Sequence, residues 1–159
     1  MKMRLAVLAL TLIAVTPTHA LADATAFVGR NTAGDDRSMT RGFAAGVSLL
    51  VVGFEFEYAN SAEDLTTGTP ALRTTSGNVF AQTFGLPGFQ LYATTGAGIY
   101  REKLGSDQET AFLLNNGGGV KINLAGPIRV RVDYRVFTLR GSPRHTNIQR
   151  IYAGLNVAF

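Results

Sequence analysis

The chain has 159 residues, no cysteine and a formal net charge of +4. This length fits one domain, and the lack of cysteine excludes disulfides, cysteine-ligated metals or haem, and a lipid-modified N-terminal cysteine. The basic residues are spread among apolar ones and form no Lys/Arg runs, so the charge does not indicate nucleic-acid binding.

The first segment has the order of a secretory signal peptide. Two basic residues near the start precede an apolar run, residues 5–15, and small residues suited to cleavage occupy Ala20–Ala22. The apolar run is shorter than the about 20 residues that a membrane-spanning helix needs. We therefore predict cleavage after Ala22, which leaves residues 23–159 as the mature domain.

Beyond this segment, apolar and polar residues alternate with the period of a β-strand, and helical periodicity is hard to find. We predict eight strands, over residues 25–31, 41–50, 52–59, 74–84, 89–100, 111–123, 128–139 and 148–159. The fourth strand cannot be oriented, because Phe80 and Phe84 lie on the face opposite Val79 and Ala81.

The connections between the predicted strands alternate in length. Tight links lie near residues 50–52, 85–88 and 124–127. An up-and-down barrel with this order has its long loops on one rim and its short turns on the other, as bacterial outer-membrane barrels do. The longer, polar connections are predicted at residues 32–40, 60–73, 101–110 and 140–147.

The last predicted strand carries an apolar stripe that ends on an aromatic residue. Ile151, Leu155, Val157 and Phe159 share one face of this strand. The stripe is similar to the signal by which the barrel assembly machinery recognises outer-membrane barrels, and we interpret it in this way. The alternative is an ordinary buried terminal strand.

These features together resemble the small eight-stranded outer-membrane β-barrels of the OmpA-like barrel-domain superfamily, over Thr25–Phe159. The resemblance implies an all-β, antiparallel, up-and-down transmembrane barrel in the bacterial outer membrane, in contact with its lipids and lipopolysaccharide. It leaves the oligomeric state open. We expect no cofactor and no metal. We also expect no periplasmic domain after the barrel, so the cell-wall anchoring of larger relatives is not implied.

The membrane determines which face of the seventh strand, IRVRVDYRV at Ile128–Val136, lies outside. An arginine on the lipid face at mid-membrane costs about 2–4 kcal/mol, so three would cost roughly 5–12 kcal/mol. That rivals the whole stability of a small domain, about 5–15 kcal/mol. The arginines are therefore predicted to face the lumen, opposite Glu55 and Glu57 of the third strand. The predicted ion-pair network, which plugs the barrel, comprises Glu55, Glu57, Lys121, Arg129, Arg131, Asp133, Arg135 and Arg150.

Candidate catalytic and metal-binding residues are few. Ser142 and His145 lie in one polar loop, and some outer-membrane barrel lipases and lipid A deacylases use Ser, His and an acid. Such enzymes hold the site on rigid strand ends, with a third group that orients the histidine. Here both residues lie in a loop with Pro143 between them, so we interpret them as solvated loop residues. The acidic pairs Asp35–Asp36 and Glu63–Asp64 could bind Ca²⁺ or bridge lipopolysaccharide phosphates, but solvated loop charges explain them as well.

Several function classes follow from this fold. We favour a structural or surface-interaction barrel, because eight strands enclose an interior filled by side chains. The alternatives are a narrow pore for ions or small solutes, a soluble periplasmic lipocalin-like carrier with the opposite phase, and, least favoured, a lipid-modifying barrel enzyme.

Overall fold

The computed structural model describes residues 20–84 and 86–159, so most of the predicted signal peptide lies outside the described residues. In the described part, eight antiparallel strands close into a barrel in sequence order, which confirms the predicted fold class. No helix in those ranges is long and apolar enough to cross a membrane. The strands are β1 Ala20–Ala33, β2 Asp36–Leu49, β3 Val52–Ser61, β4 Ala71–Gln82, β5 Phe89–Leu104, β6 Asp107–Ala125, β7 Ile128–Leu139 and β8 Asn147–Ala158.

Two of the predicted long loops, residues 32–40 and 101–110, are wrong. The β1–β2 pairing continues to Ala33↔Asp36, and the β5–β6 pairing continues to Leu104↔Asp107. Gly34 and Gly105 adopt positive φ angles of 59° and 61° in the resulting tight turns, a conformation that glycine reaches without strain. The polar residues were misleading because polar side chains occupy both faces of these strand ends, so the apolar–polar alternation of a strand is lost there.

The strands of these two hairpins are nevertheless the longest, and they extend on one side of the barrel. β1 and β2 have 14 residues each, β5 has 16 and β6 has 19. A tilted strand crosses a bilayer with about 9–11 residues. The strand residues in excess of this length lie on the side of the remaining loops, residues 62–70 and 140–146. We call this side of the barrel the loop rim. The opposite turn rim holds the connections at 50–51, 83–88 and 126–127.

The apolar faces of the strands point outward and the charged faces point inward. In β7, Arg131 and Asp133 are 1% exposed, whereas Val132 and Tyr134 are 36% and 46% exposed. This is the predicted orientation. The structure also orients β4, whose Asn78 and Phe80 are buried in the lumen while Val79 is exposed on the outer wall.

Candidate functional site

The barrel interior contains a cluster of buried charges contributed by five strands. Alternation along each strand places every second residue inside, so the charged positions of β3 and β7 point at each other across the lumen. We call this group the charged cluster. Its members are Asp23, Glu55, Glu57, Lys121, Arg131, Asp133, Arg135 and Arg150.

Glu55 is the acceptor shared by two arginines from the opposite wall. Both terminal nitrogens of Arg131 bond the carboxylate of Glu55, with Nη2 lying 3.1 Å from Oε1. Nη2 of Arg135 lies 2.7 Å from the same Oε1. Bidentate guanidinium–carboxylate contacts of this kind fix geometry as well as charge, because both groups are planar.

Asp133 lies on β7 between the two arginines and bonds both of them. Nε of Arg135 is 3.0 Å from its Oδ1, and Nη2 of Arg131 is 3.1 Å from its Oδ2. Tyr92 of β5 donates its hydroxyl hydrogen to Oδ2 of Asp133 and accepts from Nε of Arg131 at 2.7 Å. The tyrosine therefore links the carboxylate and the guanidinium, and sequence reasoning did not identify it.

Glu57 connects the cluster to β8. Its Oε1 is 3.1 Å from Nη1 of Arg150, and its Oε2 is 3.1 Å from Nη1 of Arg135. Arg150 also donates to Asn31 Oδ1 at 2.8 Å and to Thr74 Oγ1 at 3.0 Å. Each nitrogen of this fully buried guanidinium thus has an acceptor, which a buried charge requires if it is to be tolerated.

Lys121 pairs with Asp23, a residue that was not predicted to belong to the network. The Lys121 ammonium also lies 5.3 Å from the ring centroid of Phe80 and 5.7 Å from that of Tyr92. With Asp23 included, the charged cluster contains four carboxylates and four basic side chains, so it is neutral at pH 7.

Arg129 was predicted to belong to this network, and the structure does not place it there. It faces inward but is only half-buried, and it makes no ion pair with any residue of the described ranges. The reason is its position: β7 begins at Ile128, next to the turn at residues 126–127, where the side chain is partly open to solvent.

A second layer, which sequence reasoning missed, fills the lumen between the charged cluster and the loop rim. We call this layer the apolar cap. The Phe137 ring centroid lies 4.4 Å from Cζ of the Arg150 guanidinium, and this contact joins the cap to the charged cluster. The sequence pattern of β7 could have predicted this layer, because Phe137 and Leu139 lie on the same face of the strand as the arginines. The cap comprises Ala33, Leu72, Tyr100, Leu113, Phe137, Leu139 and Ile148.

At the loop rim, His145 has the orienting acid that the sequence did not show. Its Nε2 lies 2.8 Å from Oδ2 of Asp36, which Arg144 also approaches at 3.4 Å. Ser142 uses its backbone amide to bond Glu109, and no bond between Ser142 and His145 occurs among the described residues. The contact between His145 and Asp36 ties the loop at residues 140–146 to the β1–β2 hairpin.

Three members of the acidic pairs, Asp36, Glu63 and Asp64, are likewise bonded to protein groups. Glu63 accepts the Gly105 amide, and Asp64 accepts the amide of Thr66 at 2.9 Å. The Thr66 amide, and then that of Thr67, lower the pKa of Asp64. No group of three or more metal-ligating acids or histidines exists within the described ranges.

The C-terminal stripe lies on the outer wall. Its members, Ile151, Leu155, Val157 and Phe159, are all exposed on the outer side of β8 and of the residue that follows it. Phe159 exchanges two backbone hydrogen bonds with Ala22, at 2.8 and 2.9 Å, which close the barrel seam. The stripe's role as an assembly signal stays a prediction.

No family model matches the chain, and no curated protein matches it in sequence. Solved structures do match in fold. Neisserial surface protein A (NspA) aligns with a TM-score of 0.71 at 14% identity, over 88% of this chain and 97% of that one. The N-terminal β-barrel domain of Pseudomonas aeruginosa OprF gives 0.68 at 18% identity, over 87% and 97%. The attachment invasion locus protein Ail of Yersinia pestis gives 0.57 at 13% identity, over 88% and 98%. The chain therefore has the fold of the small eight-stranded outer-membrane β-barrels.

Proposed function

We propose that this protein is an integral outer-membrane barrel with a closed lumen, whose role is structural or surface-interacting rather than transport or catalysis. The observation that carries the proposal is the filling of the lumen: Arg131, Arg135 and Arg150 are at most 1% exposed, and the apolar cap lies above them. The structures of similar fold support the outer membrane as the location.

The outer wall supports insertion into a bilayer. Large apolar side chains such as Phe54, Phe56, Ile99 and Leu155 are exposed there, on several different strands. Soluble monomers rarely expose contiguous apolar patches beyond a few hundred Å². The lipocalin-like alternative requires an apolar interior that can hold a ligand, whereas this interior holds ion pairs.

The same filling argues against a pore and against a carrier. An ion would have to pass buried guanidinium–carboxylate pairs and then a layer of apolar side chains, and a hydrophobic constriction excludes water as well as ions.

Export by the predicted signal peptide and insertion by the barrel assembly machinery, through the C-terminal stripe, complete the proposal.

Two measurements test the proposal in sequence. We first expect the protein folded in phospholipid vesicles to migrate differently on a gel before and after boiling, as a stable barrel does. A protein that stays in the soluble fraction, with no such shift, would overturn membrane insertion. The inserted barrel should then show no steady conductance in a planar bilayer. A reproducible conducting state of the unmodified protein would contradict the proposal that the lumen is closed.

The enzymatic alternative has its own test. Lipid A deacylation and phospholipid hydrolysis should be at background level and unchanged by Ser142→Ala. Activity that disappears in this variant, while its heat-modifiable mobility is kept, would make the protein an enzyme.

A further inference from the structure

Charge is segregated between the two sides of the barrel wall. Throughout the described strands, each carboxylate occupies a position on the inward side, as Glu55, Glu102 and Asp133 do. The outward side carries only basic charge. Its members are Arg30, Arg37, Arg41, Arg73, Arg101 and Lys103.

Three of these arginines lie along one line of cross-strand neighbours. The register pairs Arg41 with Asn60, Asn60 with Arg73, and Arg73 with Arg101. We call Arg41, Arg73 and Arg101 the arginine row. Directly opposed residues have Cβ atoms about 4.5–5.5 Å apart, and like charges at that spacing are destabilising.

No protein carboxylate relieves this repulsion. The three side chains are exposed and make no ion pair with any residue in the described ranges. The two carboxylates of the nearby loop bond backbone amides, Glu63 that of Gly105 and Asp64 that of Thr66. An anion from outside the chain would therefore relieve the repulsion along the row.

An apolar groove reaches the same row from the turn side. It has a volume of about 800 Å³ and runs over the outer wall of β7, β8, β1, β2 and β3. Small residues such as Ala26 and Ala153 lie between larger ones such as Phe43 and Leu155, and Arg41 stands at the loop-side end. We call it the wall groove. An open apolar groove that ends in a guanidinium suits a molecule with an apolar chain and an anionic head.

We propose that the wall groove and the arginine row together bind a membrane lipid that carries phosphate on its headgroup, with an acyl chain in the groove and phosphate on the row. The inference rests on the proposed insertion into a membrane. Arginine suits this ligand because its planar fork bonds two phosphate oxygens at once and is weakly hydrated. One phosphate between Arg73 and Arg101 would replace their repulsion by two attractive contacts.

The test compares lipids that share chains but differ in phosphate. The barrel is folded in phosphatidylcholine nanodiscs doped with either phosphatidic acid or the matching diacylglycerol, released into detergent, and weighed by native mass spectrometry. We expect the unmodified protein to retain about tenfold more phosphatidic acid than diacylglycerol, a difference that corresponds to about 1.4 kcal/mol. Equal retention of the two lipids overturns the proposal.

Two triple variants separate a built site from general attraction. Arg41→Gln/Arg73→Gln/Arg101→Gln should abolish the preference. Arg37→Gln/Lys103→Gln/Arg129→Gln removes the same number of charges elsewhere and should keep it. Equal loss in both variants would indicate net charge alone and refute a site at the row.

A competition arm distinguishes lipid from free phosphate. Glycerol 3-phosphate, which lacks the chains, should not displace phosphatidic acid at equal concentration; full displacement would overturn the lipid assignment. All samples are checked for heat-modifiable mobility. A barrel that fails to insert contradicts the proposed function, whereas an inserted barrel without the phosphate preference contradicts only this site.

Discussion

Arg131 and Glu55 face each other across the lumen, and both terminal nitrogens of the arginine bond the glutamate carboxylate. They come from β7 and β3, strands on opposite walls of the closed sheet. The pair therefore ties together two parts of the barrel that share no backbone hydrogen bond. Since Arg135 bonds the same carboxylate, the negative charge of Glu55 holds two guanidinium groups in place.

Removal of the Glu55 charge should be strongly destabilising. Glu55→Gln leaves Arg131 and Arg135 short of one counter-charge in a buried site, and breaking a buried ion pair in this way costs about 3–5 kcal/mol. The chain contains no tryptophan, so urea unfolding in vesicles is best followed by gel mobility. Asp107→Asn removes a carboxylate at an exposed hairpin and should change stability by less than about 0.5 kcal/mol.

The double variant Glu55→Gln/Arg131→Gln tests whether the loss comes from the unpaired charge. It restores neutrality, so it should be more stable than the sum of the two single losses predicts. Simple additivity would show that the two side chains act independently and would contradict the cluster as a unit.

Gly119 should not tolerate a side chain, because it makes room for Tyr92. A Cβ at Gly119 would lie 2.6 Å from the Tyr92 hydroxyl oxygen and would also meet the Val132 carbonyl. Gly119→Ala should cost about 1–3 kcal/mol, the range for overpacking, and should displace the tyrosine from Asp133. Gly77→Ala is the matched control, since its Cβ would have no atom within 4 Å. Equal urea midpoints for the two variants would refute this account.

The mature protein should retain Ala22. The sequence alone favours cleavage after this residue, but Ala22 exchanges both backbone hydrogen bonds with Phe159, and Ala20 and Leu21 continue the pairing with β2. Cleavage after Ala22 would remove these bonds from the barrel seam. We therefore expect intact mass and N-terminal sequencing of the exported protein to place the cut before Ala22. A mature chain that starts at Asp23 would contradict this expectation.

The sequence was sufficient for the fold and for most of the charged cluster, and the reasons are physical. Period-2 alternation identifies strands, and the cost of arginine in lipid orients β7. Asp23 was not found, because it borders the predicted cleavage site and precedes the predicted first strand, residues 25–31. The hairpins at Gly34 and Gly105 could not be found either, because the strand ends beside them are polar on both faces and carry no apolar–polar alternation.

Two layers close the lumen, so neither should open it when removed alone. In Glu55→Ala/Arg131→Ala the charged cluster loses one acid and one base and gains water, but the apolar cap above it still excludes ions by dewetting. In Phe137→Ala/Leu139→Ala the cap is thinned, while the ion pairs below still span the barrel. Only the combination of all four substitutions should give a steady conductance in planar bilayers.

Each of these variants must first show heat-modifiable mobility, so that leakage through misfolded protein is not counted as a channel. Steady conductance from Glu55→Ala/Arg131→Ala alone would show that the cap does not seal the lumen. A folded fourfold variant that stays closed would show that residues outside these two layers form the seal. The expected order, closed in both double variants and open in the combination, follows because ions must cross the two layers in series.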